Sequence, residues 1–389
     1  MDPGRVYQVW NPGRLIFGPG ALGEISKEFT TRDKPLIVTD EGVVRAGILD
    51  KVTDLFARAE VRYDIFNRVV ADTPIETVEE AASFYRERGC ASIIGLGGGS
   101  SIDTAKAVAV RVSGDGTLRE YGSGRPIPDC LPPIYAVPTT AGTGSEVSAV
   151  AVVSDHEGKM KVGIKSPLLV PKVALLDPLL LSTIPFRTAA ETGADALSHA
   201  IEAYLSINSN VITDGMALSA MRMITSNLEK FAANPEETEA AGRMLLGSCL
   251  AGLSFANAGL GLVHGLAHSV GAYYHVSHGL SCALYLCAVM EFNVPACPEK
   301  FVSMAEALGV DVRGLSSEKA SSQAVDAVRG LFSRLAIPKT FSEMGIEFRL
   351  DPKMVDDTYT APVAKGNPRQ AQPEQIAALF LSVQGTVSG

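Results

Sequence analysis

The sequence predicts two domains of different class: an α/β domain built on a parallel sheet over residues 1–185, and an all-α domain over residues 186–389. Three observations carry this. In the first half, short β-rich runs alternate with helix-like segments, the pattern of strands joined by crossover helices. Beyond Phe186 helical spacing dominates, with almost no strand-like run before the C-terminus. A chain of 389 residues, 46% of them apolar, is long for one core and rich enough to fill two.

Taken in order, Val9–Phe17 is extended and partly apolar and ends in the turn Gly18-Pro19-Gly20, after which Leu22, Ile25 and Phe29 recur at helical spacing. Pro35–Asp40, Arg62–Phe66 and Ser92–Leu96 read as strands, with helices over Ile48–Ala59 and Ile75–Arg88 between them. Ile134–Val137 is a further strand. Val147–Ser154 and Lys159–Lys165 alternate across Asp155-His156-Glu157-Gly158, a hairpin with His156 in its solvated turn, and Val173–Asp177 is the last strand. Helices are expected at 188–206, 211–232, 237–256, 260–272, 279–291, 298–308, 317–335 and 373–384.

Two loops of the first domain point to a nucleotide. From Gly95 to Lys106 an apolar strand passes through Gly97, Gly98 and Gly99 into a helix opening at Ser100 and Ser101. Glycines there expose bare N–H groups, and a helix N-terminus adds its dipole, so a pyrophosphate can lie close to the backbone. The spacing departs from the usual dinucleotide fingerprint, and the loop follows the third of these strands rather than the first. The second loop, Pro138–Glu146, offers Thr139, Thr140 and Thr143 among small residues. Asp40, at a strand end, suits the hydroxyls of an adenosine ribose and repels a 2′-phosphate, which favours NAD over NADP.

The second domain holds most of the side-chain chemistry. Asp195 and His199 sit one turn apart on one expected helix, and His264 and His268 repeat that spacing on another, with His278 beyond a turn. One such pair is commonly a hydrogen-bonded core pair. Two pairs and a further His-Gly, in a chain with six histidines, point to a divalent transition metal, because imidazole is too soft a donor for calcium or magnesium. Iron(II), zinc and manganese all suit these donors. The phosphate loop belongs to one domain and the metal residues to the other, so the reaction is expected in the cleft between them.

The formal charge of −9 disfavours nucleic acid and acidic membrane surfaces, leaving small molecules as partners. Cysteines at 90, 130, 249, 282, 287 and 297 show no C-x-x-C spacing and fit reduced, packed thiols, and Met1–Asn11 lacks an apolar signal region, so a cytoplasmic protein is expected. The apolar run Leu280–Met290 is too short to span a bilayer.

Together the motifs resemble the iron-containing (group III) alcohol dehydrogenase family over nearly the whole chain. The stretches are Asn11–Gly20, GGGSSIDTAK at 97–106, PTTAGTGSE at 138–146, GADALSHAIEAY at 193–204, HGLAHSVGAYYHVSHG at 264–279 and GNPRQ at 366–370. The resemblance implies a dehydroquinate synthase-like architecture, with an NAD-binding α/β domain and a helical metal-binding domain. It implies metal ligands at Asp195, His199, His264 and His278, and places His268 beside nicotinamide and substrate as the catalytic proton relay. His275 has no ligand role by this comparison. It puts the cofactor on Gly97, Gly98, Gly99, Ser100, Asp103, Thr139, Thr140, Thr143 and Lys161, with Asp40 at the ribose.

The implied reaction is NAD-linked oxidation of a small alcohol, or reduction of an aldehyde or ketone, at iron(II), with zinc or manganese as substitutes, in a homo-oligomer. Three alternatives compete: polyol oxidation as in glycerol dehydrogenase, a lyase like dehydroquinate synthase, and a non-catalytic metal- or nucleotide-binding protein. The lyase needs basic residues for a substrate phosphate, whereas between 193 and 295 only Arg222, Lys230 and Arg243 are present. The non-catalytic reading tolerates loss of a ligand, and none is missing.

Overall fold

The structure is a computed structural model that describes residues 8–158 and 160–385. Most of the N-terminal stretch read for a signal, and the expected first hairpin residue Lys159, lie outside the described residues. The chain forms two compact units, one of Trp10–Ile184 with Pro235–Leu245, the other chiefly of Pro185–Asn234 and Leu246–Gly389.

In the first unit, strands β1 (Arg14–Phe17), β2 (Pro35–Asp40), β3 (Asp64–Val69), β4 (Ser92–Gly97), β5 (Ile134–Pro138) and β8 (Val173–Leu176) form one parallel sheet in the order β1-β8-β5-β4-β2-β3. Helices α1 (Glu41–Arg45), α2 (Ile48–Arg58), α3 (Ile75–Arg88), α4 (Gly99–Ser113) and α5 (Leu118–Gly122) connect them, and β6 (Val150–Asp155) and β7 (Met160–Lys165) form the antiparallel hairpin. Central strands read as continuous apolar runs because both faces are covered: Leu36, Val38 and Ile93 meet Val78, Ala82, Ala105 and Val108 of α3 and α4 in one core. From β2 the chain runs outward to β3 and returns on the other side of β2 as β4. That reversal makes the carboxyl ends of β2 and β4 a topological switch point, where open α/β sheets present ligand crevices.

Two departures from the sequence reading have local causes. The strand expected at Arg62–Phe66 lies at Asp64–Val69, where Phe66 and Val69 are the buried residues and Leu36 pairs with Asp64. The hairpin begins at Val150 rather than Val147, because the N–H groups of Val147 and Ser148 both donate to Gly144 O and commit that backbone to a turn.

The second unit is helical: α6 (Phe186–Leu205), α7 (Val211–Ala233), most of α8 (Thr238–Ala258), α9 (Leu262–Tyr274), α10 (His278–Asn293), α11 (Pro298–Ala307), α12 (Ser317–Arg334), α13 (Pro352–Thr360) and α14 (Pro373–Ser382). The sequence reading lacked α13, although Asp351 caps it by accepting from the Lys353 N–H with proline in its first turn. Glycines set how closely α6 is approached. A Cβ on Gly193 would lie 2.1 Å from Leu228 of α7, and one on Gly279 of α10 would lie 2.3 Å from Glu191 O. The stretch His278–Ala296, with mean hydropathy 1.3, is long and apolar enough to cross a membrane, contrary to the shorter run read from sequence. Its apolarity serves packing, since 56% of it is buried and α10 contacts α6, α9, α12 and α14.

Candidate metal centre and cofactor loops

Asp195 and His199 leave the same face of α6, where a glycine, alanines and Leu197 let the helix be buried from Gly193 to Leu205. The close approach permitted by Gly279 brings the first turn of α10 against Asp195, and with it His278. His264 comes from the first turn of α9. Asp195 Oδ1 faces an Nε2 atom of each ring: His199 at 3.7 Å, His264 at 3.7 Å and His278 at 3.6 Å. The rings of His199 and His264 stack at 4.7 Å, and His199 also stacks on Phe255 of α8. His268 joins the group through His278, on which it stacks with centroids 5.6 Å apart. His275 is exposed and takes the left-handed backbone conformation that ends α9.

The fit of these residues to a metal rests on Asp195 Oδ1. It is buried and has no hydrogen-bond partner among the described residues. A buried carboxylate oxygen left so is costly, and burial pushes the Asp195 carboxyl above its ordinary range, opposed by His199 and the Cys282 thiol. A cation placed among the three Nε2 atoms supplies the missing interaction. Imidazole and carboxylate together form a donor set for a divalent transition metal, so the residues fit the ion.

Two further residues stand at the centre: Glu202, given no role from sequence, and Cys282, read from sequence as a packed thiol. Glu202, one further turn along the Asp195 face of α6, accepts a hydrogen bond from His264 Nδ1 through Oε2, while its Oε1 accepts from the Val263 N–H at 2.7 Å. A carboxylate there holds the proton on Nδ1 and leaves Nε2 as the free donor atom. Glu202 and Asn367 of the GNPRQ stretch also cap α9, since Asn367 Oδ1 accepts from the Leu262 N–H and Gly261 offers no side chain. Cys282, one turn after His278, lies 3.8 Å from His264 Nε2 and 3.7 Å from His278 Nε2.

In the first unit, Asp40 and Gly97 end the paired strands β2 and β4. Asp40 Oδ1 caps α1 by accepting from the Val43 N–H at 3.0 Å, and Oδ2 accepts from Ser101 Oγ at 3.1 Å. Gly97 has φ of +147°, and a Cβ there would lie 2.5 Å from Ser101 Oγ. Gly98 is the N-cap of α4 without a side-chain cap, which leaves the N–H groups of its first turn, Gly99 and Ser100 included, facing outward. The second loop packs on the first: the Thr139 N–H donates to Gly97 O, and Gly98 and Gly99 abut Thr140 and Thr143.

Asp103 and Lys161, named as cofactor residues from the resemblance, carry local bonds. Asp103 Oδ2 accepts from the Val152 N–H at 3.0 Å, in a buried group with Lys106 and Glu146. Burial lowers the Lys106 ammonium to about 8 and raises the Glu146 carboxyl to about 7. Lys106 Nζ donates to Ser148 O, Ser148 Oγ and Val150 O, tying α4 to the start of the hairpin. Lys161 pairs with Asp72 at 2.7 Å and donates to Ser154 Oγ.

A parallel α/β unit with its switch point at a glycine loop and a helical unit bearing an Asp–His cluster together define a metal- and nucleotide-using class of protein. The family profile described as iron-containing alcohol dehydrogenase matches residues 12–178, and the profile for the C-terminal part of the Fe-containing alcohol dehydrogenase family matches 189–383. The chain belongs to the iron-containing alcohol dehydrogenase family. It is 36% identical over 372 residues to lactaldehyde reductase of Escherichia coli, covering 94% of this chain and 96% of that one. It is 34% identical over 371 residues to the NAD-dependent methanol dehydrogenase of Bacillus methanolicus, covering 95% and 97%. The crystal structure of a 1,3-propanediol oxidoreductase superposes with a TM-score of 0.93 at 34% identity, over 97% of this chain and all of that one.

Proposed function

We propose that the protein interconverts a small alcohol and its aldehyde or ketone with NAD, using a divalent ion held by Asp195, His199, His264 and His278. The observation that carries this reading is the unpartnered, buried Asp195 Oδ1 facing three imidazole Nε2 atoms. When bound, iron(II), or zinc or manganese in its place, supplies Lewis acidity to the substrate oxygen, and the nicotinamide takes or gives the hydride. Glu202 keeps the His264 proton on Nδ1, so that Nε2 stays a neutral donor. His268, stacked on His278, is the group beside the centre that relays the alcohol proton.

The α4 N-terminus with Gly97, Gly98, Gly99 and Ser100 receives the pyrophosphate. Thr139, Thr140 and Thr143 lie along the same loop pair for ribose and nicotinamide, and Lys161 and Asp103 complete the cofactor side. The fixed Asp40 carboxylate meets the adenosine ribose and disfavours NADP. Relatives named for methanol, lactaldehyde and 1,3-propanediol support a short, neutral substrate.

The six free cysteines support a cytoplasmic setting. The edge strand β1, which leaves Leu15 and Phe17 exposed, supports a homo-oligomer, to be checked by light scattering. The test of function is NADH formation by protein loaded anaerobically with iron(II), or separately with zinc, across short alcohols, diols and hydroxy acids. Turnover on a short alcohol is expected. Silence with every metal and alcohol, repeated with aldehydes and NADH, overturns the reading.

A further inference from the structure

We infer that Asn367 is a positioning residue of the metal centre: paired with Asn293, it pins the start of α9 to the end of α10 and so fixes where His264 stands. This rests on the metal reading above and extends it to the GNPRQ stretch, which supplies none of the ligands.

Asn367 and Asn293 are each 2% exposed and form a reciprocal amide pair. Asn293 Nδ2 donates to Asn367 Oδ1 at 3.0 Å, and Asn367 Nδ2 donates to Asn293 Oδ1 at 2.7 Å. The rest of the Asn367 amide goes to backbone: Oδ1 also accepts from the Leu262 N–H at 3.3 Å, and Nδ2 also donates to Arg369 O at 2.7 Å. Both hydrogens and both lone pairs of that amide are thus engaged. Two buried amides carry a desolvation cost that two leucines would avoid. What the pair adds is a fixed register, because hydrogen bonds are directional where apolar packing can slide.

The pinned turn is the one that bears His264. Leu262, Val263 and His264 open α9, and Gly261 before them offers no side chain. Asn367 takes the Leu262 N–H, Glu202 takes the Val263 N–H, and Glu202 also takes His264 Nδ1. A Cβ on Gly261 would lie 2.9 Å from both Asn367 Oδ1 and Glu202 Oε1, so two buried acceptors close on this turn. Glu202 orients the imidazole, and Asn367 sets the backbone that carries it. The same stretch reaches the other ligand-bearing helices. Gly366 O accepts from the Ile207 N–H, two residues beyond α6, which bears Asp195 and His199. The Arg369 guanidinium lies 4.2 Å from the centre of the Phe292 ring and donates to Phe292 O at 2.9 Å, at the far end of the helix that bears His278. Residues 366–369 therefore tie together the three helices that carry the four proposed ligands.

The experiment titrates metal-free protein with cobalt(II) against a competing chelator and records its visible absorption, for wild type, Asn367→Ala and Asn293→Ala. Asn367→Ala should keep NAD binding and the circular dichroism of wild type. It should hold cobalt about 10-fold more weakly and show shifted visible bands, as His264 moves relative to Asp195. Asn293→Ala leaves Asn367 its bonds to Leu262 and Arg369, so a smaller loss and a smaller shift are expected. That variant decides alone if Asn367→Ala does not fold. An amide pair that serves stability only would lower the denaturation midpoint and leave cobalt affinity and visible bands as in wild type. That result overturns the inference while the metal reading stands. Wild type that retains no cobalt overturns both.

Discussion

The metal group and the glycine loops use the chain in opposite ways. At the metal group the backbone is ordinary helix and the chemistry lies in side chains from α6, α9 and α10, brought together across many residues. At the loops the side chains are small and the chemistry lies in the backbone, in Gly97 at positive φ and an α4 terminus left open at Gly98. A site of the first kind should fail by losing a donor and keep its fold. A site of the second kind should fail by gaining an atom or losing a turn.

The largest expected effect breaks the metal group alone. His264→Ala removes one of the nitrogens facing Asp195 Oδ1, and its expected result is loss of bound ion and of turnover, with NAD binding and the circular dichroism spectrum unchanged. Metal content by mass spectrometry checks it, and content equal to wild type would remove His264 from the ligand set. Next in size is Glu202→Gln, which keeps an acceptor for Val263 and removes the charge behind His264. Ion affinity should fall by about 10- to 100-fold, read by competition with a chelator. Unchanged affinity would leave Glu202 as a helix cap and nothing more.

The same contrast explains what the sequence disclosed. Asp195, His199 and His264 were legible because one-turn spacing on amphipathic helices puts donors on one face, and two such pairs rarely coincide. Glu202 and Cys282 share those faces, yet a buried glutamate or cysteine looks like any other core residue until its partner is placed from another helix. Gly279 was legible as part of a His-Gly pair, though not as the close approach to Glu191 that carries His278 inward. The parallel sheet followed from alternation, and its strand order did not, because nothing local says that β4 returns to the inner side of β2.

A smaller effect tests the loop side. Asp40→Ala removes both the cap on Val43 and the acceptor for Ser101, and capping losses of this kind cost about 1 kcal/mol. Denaturant unfolding should show that loss, and the ratio of NAD to NADP turnover should fall as the repulsion of a 2′-phosphate disappears. A stability loss with the cofactor ratio unchanged would confine Asp40 to its capping role.

The last effect is read through pH and lies under the second loop, where Glu146 is buried with Lys106 and Asp103. Burial raises the Glu146 carboxyl from 4.5 to about 7, against the pull of Lys106. Between those values the native state binds a proton that the unfolded chain has released. Stability from this group is therefore full below pH 4.5 and is lost as the pH rises through about 7. Glu146→Gln cannot titrate, so it should lose less stability than wild type between pH 5 and pH 8 in paired denaturant titrations. Equal losses would mean that the Lys106 ammonium, itself held by Ser148 and Val150, keeps Glu146 ionised throughout. The loop would then rest on a buried ion pair rather than on a protonated acid, and lowering the pH would loosen it where the present geometry expects it to tighten.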